Sequence, residues 1–355
     1  MRKLDFGRLF MVGFYGTAFC PELQTFLLEI NPAGVILFSR NIVEPQQVAE
    51  LNFSIQKFAI EKLGRPLFIG VDQESGRVAR LKSPFSEFPP AMTIAQTDVP
   101  EEAVRRFAET TARELRVVGF NLDFIPVLDV LGNGIDPHNT VIGDRSFGHD
   151  PIQVANLGTI LIRQMGSMGI LTCGKHFPGH GGIAVDSHLD LPIDPRSQAQ
   201  ILERDVHPFV KAIGAGTDMI MTAHVKFPSF DETYPASLSP TLINGLLRQQ
   251  LKFQGLILTD DLDMGAISKH YKPQEAALLA YQAGTDIMLI CNSPEIAFDA
   301  RRHVFESTKD EPLSKQRLNR SLVASEALFP NLYKAHKACD LAQVANYFSS
   351  SSIKS

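Results

Sequence analysis

Short apolar, often β-branched runs alternate along this chain with longer stretches in which charged and apolar residues recur at helical spacing. LFMVGFY (9–15) is followed by PELQTFLLEI, and GVILFSR (34–40) by EPQQVAELNFSIQKFAIEKLG. LFIGVDQE (67–74) precedes an insertion and then EEAVRRFAETTARELRVVG, while FNLDFIPVLDV (120–130) precedes a Gly-rich loop and PIQVANLGTILIRQMGSMG. ILTCGKH (170–176) leads through a polar loop to ILERDVHPFVKAIGAG, and MIMTAHV (219–225) to PTLINGLLRQQLKF. LILTDDLDM (256–264) is followed by PQEAALLAYQAG, and DIMLICN (286–292) by SPEIAFDARRHVFES. The apolar runs read as strands buried on both faces, the pattern of a parallel sheet. Gly64, Gly119, Gly169, Gly216 and Gly284 each end a helical stretch just ahead of a strand, which suits left-handed caps.

Eight βα units within roughly 330 residues predict an α/β fold, a single closed (β/α)8 barrel over residues 1–330. Residues 331–355 are expected to add an amphipathic C-terminal helix, NLYKAHKACDLAQVANYF, and a frayed Ser-rich tail, SSSSIKS. Barrel active sites lie at the carboxyl ends of the strands. That rule gathers Asp72 and Glu74 (third strand), Asp129 (fourth), Lys175 and His176 (fifth), His224 (sixth) and Asp260, Asp261 and Asp263 (seventh) at one mouth. The segment KHFPGHGGIAVDSHLDLP (175–192) leaves the fifth strand over the same mouth and is expected to be a mobile, Gly-hinged loop.

Composition narrows the classes. The net charge of −5 gives no general attraction to nucleic acid or to an anionic membrane. Cys20, Cys173, Cys291 and Cys339 are scattered and form no CxxC pair, so neither a disulfide framework nor a zinc–thiolate site is expected. Asp5 and Arg8 interrupt the amino terminus before any signal-like apolar region develops, and no run has the length of a membrane span. The cytoplasm is the default compartment, and a self-contained barrel is expected to be a monomer.

The rim residues leave several chemistries open. Strand alternation sends Asp260 and Asp261 to opposite faces, so the two carboxyl groups are expected to have different roles. Any one of these aspartates is equally readable as a helix cap or a loop hydrogen-bond acceptor. Asp186 and His188, two apart in an extended segment, can share a hydrogen bond that fixes one imidazole nitrogen and leaves the other to exchange protons near neutral pH. His176, His180, Asp186 and His188 can also be drawn as metal ligands, and Lys175 as a Schiff-base lysine. Lys175 and Arg145 serve equally as ion-pair partners of strand-end carboxylates. Glu74 and Asp123 read as structural partners of rim cations, and Asp129 as support for Arg145 or a contact to a substrate hydroxyl.

VDQESGRVARL (71–81), VIGDRSFG (141–148), GKHFPGHG (174–181), DSHLDLP (186–192) and TDDLDM (259–264) together resemble the motif series of the β-N-acetylhexosaminidases of glycoside hydrolase family 3. The likeness covers nearly the whole barrel, in order, and is greatest to the short single-domain bacterial enzymes of peptidoglycan recycling. It implies retaining hydrolysis through a covalent glycosyl–aspartate, without metal or cofactor. Asp260 matches the nucleophile, His188 the general acid/base and Asp186 its partner. Asp72, Arg80, Arg145, Lys175 and His176 match the residues that hold the N-acetylglucosaminyl unit. The implied substrate is a GlcNAc-containing muropeptide, GlcNAc–1,6-anhydro-MurNAc with or without its peptide. Phosphorolysis is the alternative, because a histidine acid/base does not repel incoming phosphate. Ser75 stands where the family usually has glycine, and Thr259 where it usually has serine. With no tryptophan in the chain, ring stacking on sugar would fall to Phe147, Phe177 or apolar contacts.

Overall fold

The eight apolar runs form strands β1 (Phe10–Val12), β2 (Gly34–Leu37), β3 (Phe68–Val71), β4 (Leu122–Asp123), β5 (Leu171–Phe177), β6 (Met219–Thr222), β7 (Leu256–Asp261) and β8 (Ile287–Ile290). Each pairs in parallel with the next, and β1 closes on β8 with Phe10 opposite Met288, so the sheet is a closed barrel. The structure is a computed structural model that describes residues 2–132, 141–183 and 191–351. Residues 186 and 188 therefore lie outside the described residues, as do 352–355 of the Ser-rich tail.

Local chemistry sets the helix limits. Helices Pro21–Ile30, Pro45–Phe58, Pro100–Val117, Pro151–Ser167, Pro273–Ala283 and Pro294–Thr308 all begin with proline, whose missing N–H costs nothing in the first turn. Gly64, Gly119, Gly169, Gly216 and Gly284 have φ of 72°, 84°, 81°, 88° and 110°, the left-handed caps expected from their positions.

Two apolar layers result. Inside the barrel, Met11, Phe68, Leu122, Phe124, Met219 and Leu256 belong to one buried cluster. Between strands and helices, Phe6, Leu27, Ile55, Phe107, Leu161 and Tyr281 belong to a larger one. Each such side chain contributes about 1.5–3 kcal/mol by leaving water. Beyond the eighth strand and its helix, the chain forms a helix over Pro312–Ala338 and another over Leu341–Ser351. Leu332 of the longer helix is fully buried in the barrel-interior cluster with Phe68 and Leu122, closing the floor opposite the mouth. Among the described residues no helix is long and apolar enough to cross a membrane.

Candidate active site

A cavity of about 580 Å³ opens at the carboxyl ends of the strands and is lined by Asp72, Glu74, Arg80, Arg145, Lys175, His176, His180, Asp260 and Asp261 among others. The six expected site residues within the described part of the chain (Asp72, Arg80, Arg145, Lys175, His176 and Asp260) thus share one wall-to-wall space. Asp186 and His188 cannot be placed, because they lie outside the described residues.

The β3 side is organised by a two-stranded hairpin, Gln73–Ser75 against Val78–Ala79, that returns the chain so that Asp72 and Arg80 meet. Its base is stapled by the Gln73 carboxamide, which accepts from Leu81 N (3.0 Å) and donates to the Leu81 carbonyl (3.1 Å). Arg80 Nη2 reaches Asp72 Oδ2 at 3.4 Å, and Lys175 Nζ reaches Asp72 Oδ1 at 2.8 Å and Glu74 Oε1 at 2.6 Å. Arg145 grips Glu74 with two bonds, Nε to Oε2 at 2.7 Å and Nη2 to Oε1 at 2.8 Å. The order Arg145–Glu74–Lys175–Asp72–Arg80 is an alternating chain of charge with one cation in excess.

Burial works against a charge on Glu74, but Arg145 and Lys175 outweigh it and hold the carboxyl far below the usual carboxylate range. Burial likewise opposes the Lys175 charge, yet Asp72 and Glu74 push its pKa above the ordinary lysine value. A Schiff-base lysine needs the opposite, a depressed pKa and a free amine, so that reading of Lys175 fails. Glu74 takes the structural part expected of it. Asp123 instead accepts from the Gln73 N–H at 3.0 Å, and burial raises its pKa well above normal despite Lys175 nearby.

Among the described residues, Asp129 spends its carboxylate hydrogen bonds on the histidines and not on Arg145. It accepts from His176 Nδ1 at 2.7 Å and from the His180 backbone N–H at 2.7 Å, and it is fully buried. Burial disfavours its charge, but His176 and His180 more than compensate and lower its pKa. The carboxylate therefore fixes the proton on His176 Nδ1. Burial pushes His180 down to about 4, so it is neutral at physiological pH. Among the described residues no three His, Cys, Asp or Glu side chains gather as metal ligands.

Across the cavity, β7 delivers the paired acids. For Asp260, burial opposes ionisation, while His176, His224 and Lys175 favour it and bring the pKa below the usual value. Asp261 is pushed up to about 7 by burial and by Asp263, so its titration is separated from that of its neighbour. Both residues line the cavity, so the expected separation to opposite faces does not hold; their hydrogen bonds differ instead. Asp261 Oδ1 accepts from the N–H groups of Asp263 and Cys291, both at 3.1 Å, tying β7 to β8. His224 braces the same turn, its Nε2 meeting the Asp261 carbonyl at 2.9 Å and its Nδ1 the Ser237 hydroxyl at 2.7 Å. Thr259 keeps the hydroxyl that serine would supply, accepting from Leu289 N at 3.1 Å.

Several lining residues escape a reading of the sequence: Phe38, Arg77 and Asn292. The strand-end rule could have found Phe38 and Asn292, which follow β2 and β8. Phe147 and Phe177 do not stack on the cavity. Both are buried, Phe177 against Phe209 with ring centroids 5.3 Å apart, and among the described residues the phenyl ring that lines the cavity is that of Phe38.

Residues 3–324 match the N-terminal domain of glycosyl hydrolase family 3. A protein named beta-hexosaminidase from Thiobacillus denitrificans is 39% identical over 292 residues, covering 81% of this chain and 79% of that one. A beta-hexosaminidase from Idiomarina loihiensis is 36% identical over 321 residues, covering 90% of this chain and 93% of the relative. Among solved structures, a family 3 β-N-acetylglucosaminidase from Paenibacillus superposes with a TM-score of 0.88 at 36% identity over 94% of this chain. This chain spans 63% of that longer protein, less than two thirds. NagZ from Neisseria gonorrhoeae, solved in complex with N-trifluoroacetyl-D-glucosamine, superposes with a TM-score of 0.75 at 31% identity over 94% of this chain and 98% of its own. The chain belongs to glycosyl hydrolase family 3.

Proposed function

We propose that this protein is a retaining β-N-acetylglucosaminidase that removes a terminal β-linked GlcNAc through a covalent bond to Asp260. The observation that carries the proposal is the cavity itself: a buried carboxylate favoured in its ionised form by His176, His224 and Lys175, sharing one space with a donor-rich wall of Arg80, Arg145, Lys175 and His176. That wall suits the hydroxyl and acetamido oxygens of the sugar, while an anion suits attack on the anomeric carbon.

In the first step Asp260 bonds to the anomeric carbon as the glycosidic C–O bond breaks, and the leaving oxygen takes a proton from His188. In the second, neutral His188 takes a proton from water, the water oxygen bonds to the anomeric carbon, and Asp260 departs as carboxylate. Asp186 supports the imidazolium before the first proton transfer and again after the second. The physiological substrate on this reading is GlcNAc–1,6-anhydro-MurNAc or its peptide, cleaved in the cytoplasm by a monomer during cell-wall recycling. The beta-hexosaminidase relatives and the sugar complex of the Neisseria protein support the GlcNAc part.

The test is Asp260→Ala with an aryl β-GlcNAc substrate, where loss of the nucleophile should lower kcat by about a thousandfold or more while the circular dichroism spectrum is unchanged. A fluoro-sugar that traps the glycosyl–enzyme should label the peptide carrying Asp260. Near-normal turnover by the variant, or a label elsewhere, overturns the assignment. Product analysis with and without phosphate should give free GlcNAc in both.

A further inference from the structure

The cavity wall continues outwards through side chains that the hydrolytic scheme does not use. Phe38, which follows β2, lines the cavity, and the Arg40 guanidinium lies 4.5 Å from its ring centroid. The same guanidinium lies 4.8 Å from the ring centroid of Tyr15, which is 65% exposed. Phe38, Arg40 and Tyr15 thus form a ladder from the interior of the cavity to solvent.

The outermost rung is held in place. Arg40 Nε donates to the Phe14 carbonyl at 3.1 Å and Nη1 to Asn292 Oδ1 at 3.2 Å, and Nη2 donates to the Cys291 carbonyl. Cys291 and Asn292 both line the cavity, so Tyr15 stands one guanidinium away from three lining residues. Gly13 permits this approach, since a Cβ there would lie 2.9 Å from Arg40 Nη2 and 2.0 Å from the Cys291 carbonyl oxygen. Asn41, fully buried, donates its Nδ2 to the carbonyls of Phe14 (3.1 Å) and Gly16 (2.8 Å), pinning the backbone on both sides of Tyr15. Each guanidinium nitrogen donates to a protein acceptor, which fixes the cation between the two rings.

We propose that Tyr15, backed by the Arg40–Phe38 stack, is the platform for the ring of the leaving group, a sugar whose C–H face packs on the exposed phenol ring. The proposal rests on the hydrolase reading above. The groups matched to GlcNAc sit on the β3, β4 and β5 side, and the leaving group must point out of the cavity as the bond breaks. Tyr15 occupies the β1 and β2 side of the lip, preorganised, with one face on Arg40. A rigid aromatic with few torsions loses little entropy when a ring settles on it.

The experiment compares kcat/KM for N,N′-diacetylchitobiose, which has a sugar leaving group, with that for β-GlcNAc azide, which has no ring there. Tyr15→Ala should lower the disaccharide value about tenfold and leave the azide value within about twofold. Tyr15→Phe should keep both. An unchanged disaccharide value in Tyr15→Ala overturns the platform, and so does an equal loss on both substrates. Wild-type inactivity on both substrates would overturn the hydrolase reading and the platform with it.

Discussion

Lys175 Nζ lies 2.6 Å from Glu74 Oε1, with both side chains only 3% exposed. This pair is the central link between the β3 and β5 ends, because Glu74 also takes both prongs of Arg145 while Lys175 also takes Asp72. A carboxylate removed from water to this extent is tolerable only because two cations and their hydrogen bonds replace the lost solvent.

Glu74→Gln should therefore be costly, leaving two buried cations with Asp72 as their main counter-charge. A loss of about 3–5 kcal/mol in unfolding free energy is expected from breaking a buried pair on one side. The pH dependence has a definite sign. Arg145 and Lys175 overcome burial and place the folded pKa of Glu74 well below its unfolded value of about 4.3. Its stabilisation is complete above the unfolded value and is lost as pH falls below it towards the folded one. Urea unfolding at about pH 5, 4 and 3 should show the wild type losing more stability than Glu74→Gln across the acid steps. Parallel losses would exclude Glu74 as a source of acid sensitivity.

Asp129 offers a test of positioning without contact. It is not among the lining residues of the cavity, but it holds both the His176 ring and the His180 backbone. Asp129→Asn keeps the shape and removes the charge that fixes the proton on His176 Nδ1. Loss of a charge-assisted buried bond is worth about 1.5–3 kcal/mol, or roughly 10–100-fold in kcat/KM for an aryl β-GlcNAc substrate. Binding of free GlcNAc, followed by calorimetry, should weaken in parallel. An unaltered Kd together with unaltered kcat/KM would leave Asp129 with a folding role only.

How much of the molecule is legible in its sequence follows from the range of the interactions. The barrel strands are legible because a buried parallel strand needs an unbroken apolar run, and its preceding helix needs a left-handed cap such as Gly216 or Gly284. Asp72, Lys175 and Asp260 are legible because they end such runs. Asp129 ends one too, yet its partners are not, since pairing with His176 depends on how β5 leaves the barrel. The helix Pro312–Ala338 carries only scattered apolar residues, and Leu332 finds its buried site in the barrel floor, which exists only once all eight strands have closed. The ladder of Tyr15, Arg40 and Phe38 joins two loops and has no local signature at all.

Ser75 shows how one departure from a family pattern acquires a physical meaning. It ends the first strand of the hairpin that brings Asp72 to Arg80, and its φ is 86°, in the left-handed region where a Cβ is strained. Its hydroxyl is buried and finds no partner among the described residues. Glycine at this position would relieve both penalties, about 1 kcal/mol for the backbone and about 1 kcal/mol or more for the orphan hydroxyl. Against this stands the larger conformational entropy of glycine in the unfolded chain, about 0.5–1 kcal/mol. The balance predicts that Ser75→Gly stabilises the protein by roughly 1 kcal/mol, read as a higher urea midpoint with an unchanged slope. Ser75→Ala separates the contributions, because it removes the hydroxyl and keeps the strain, and it should recover only part of the gain. Should Ser75→Gly prove less stable than Ser75→Ala, backbone strain at this position would be ruled out as the dominant penalty. Neither change touches a cavity-lining group, so kcat/KM should stay within about twofold of the wild type in both variants.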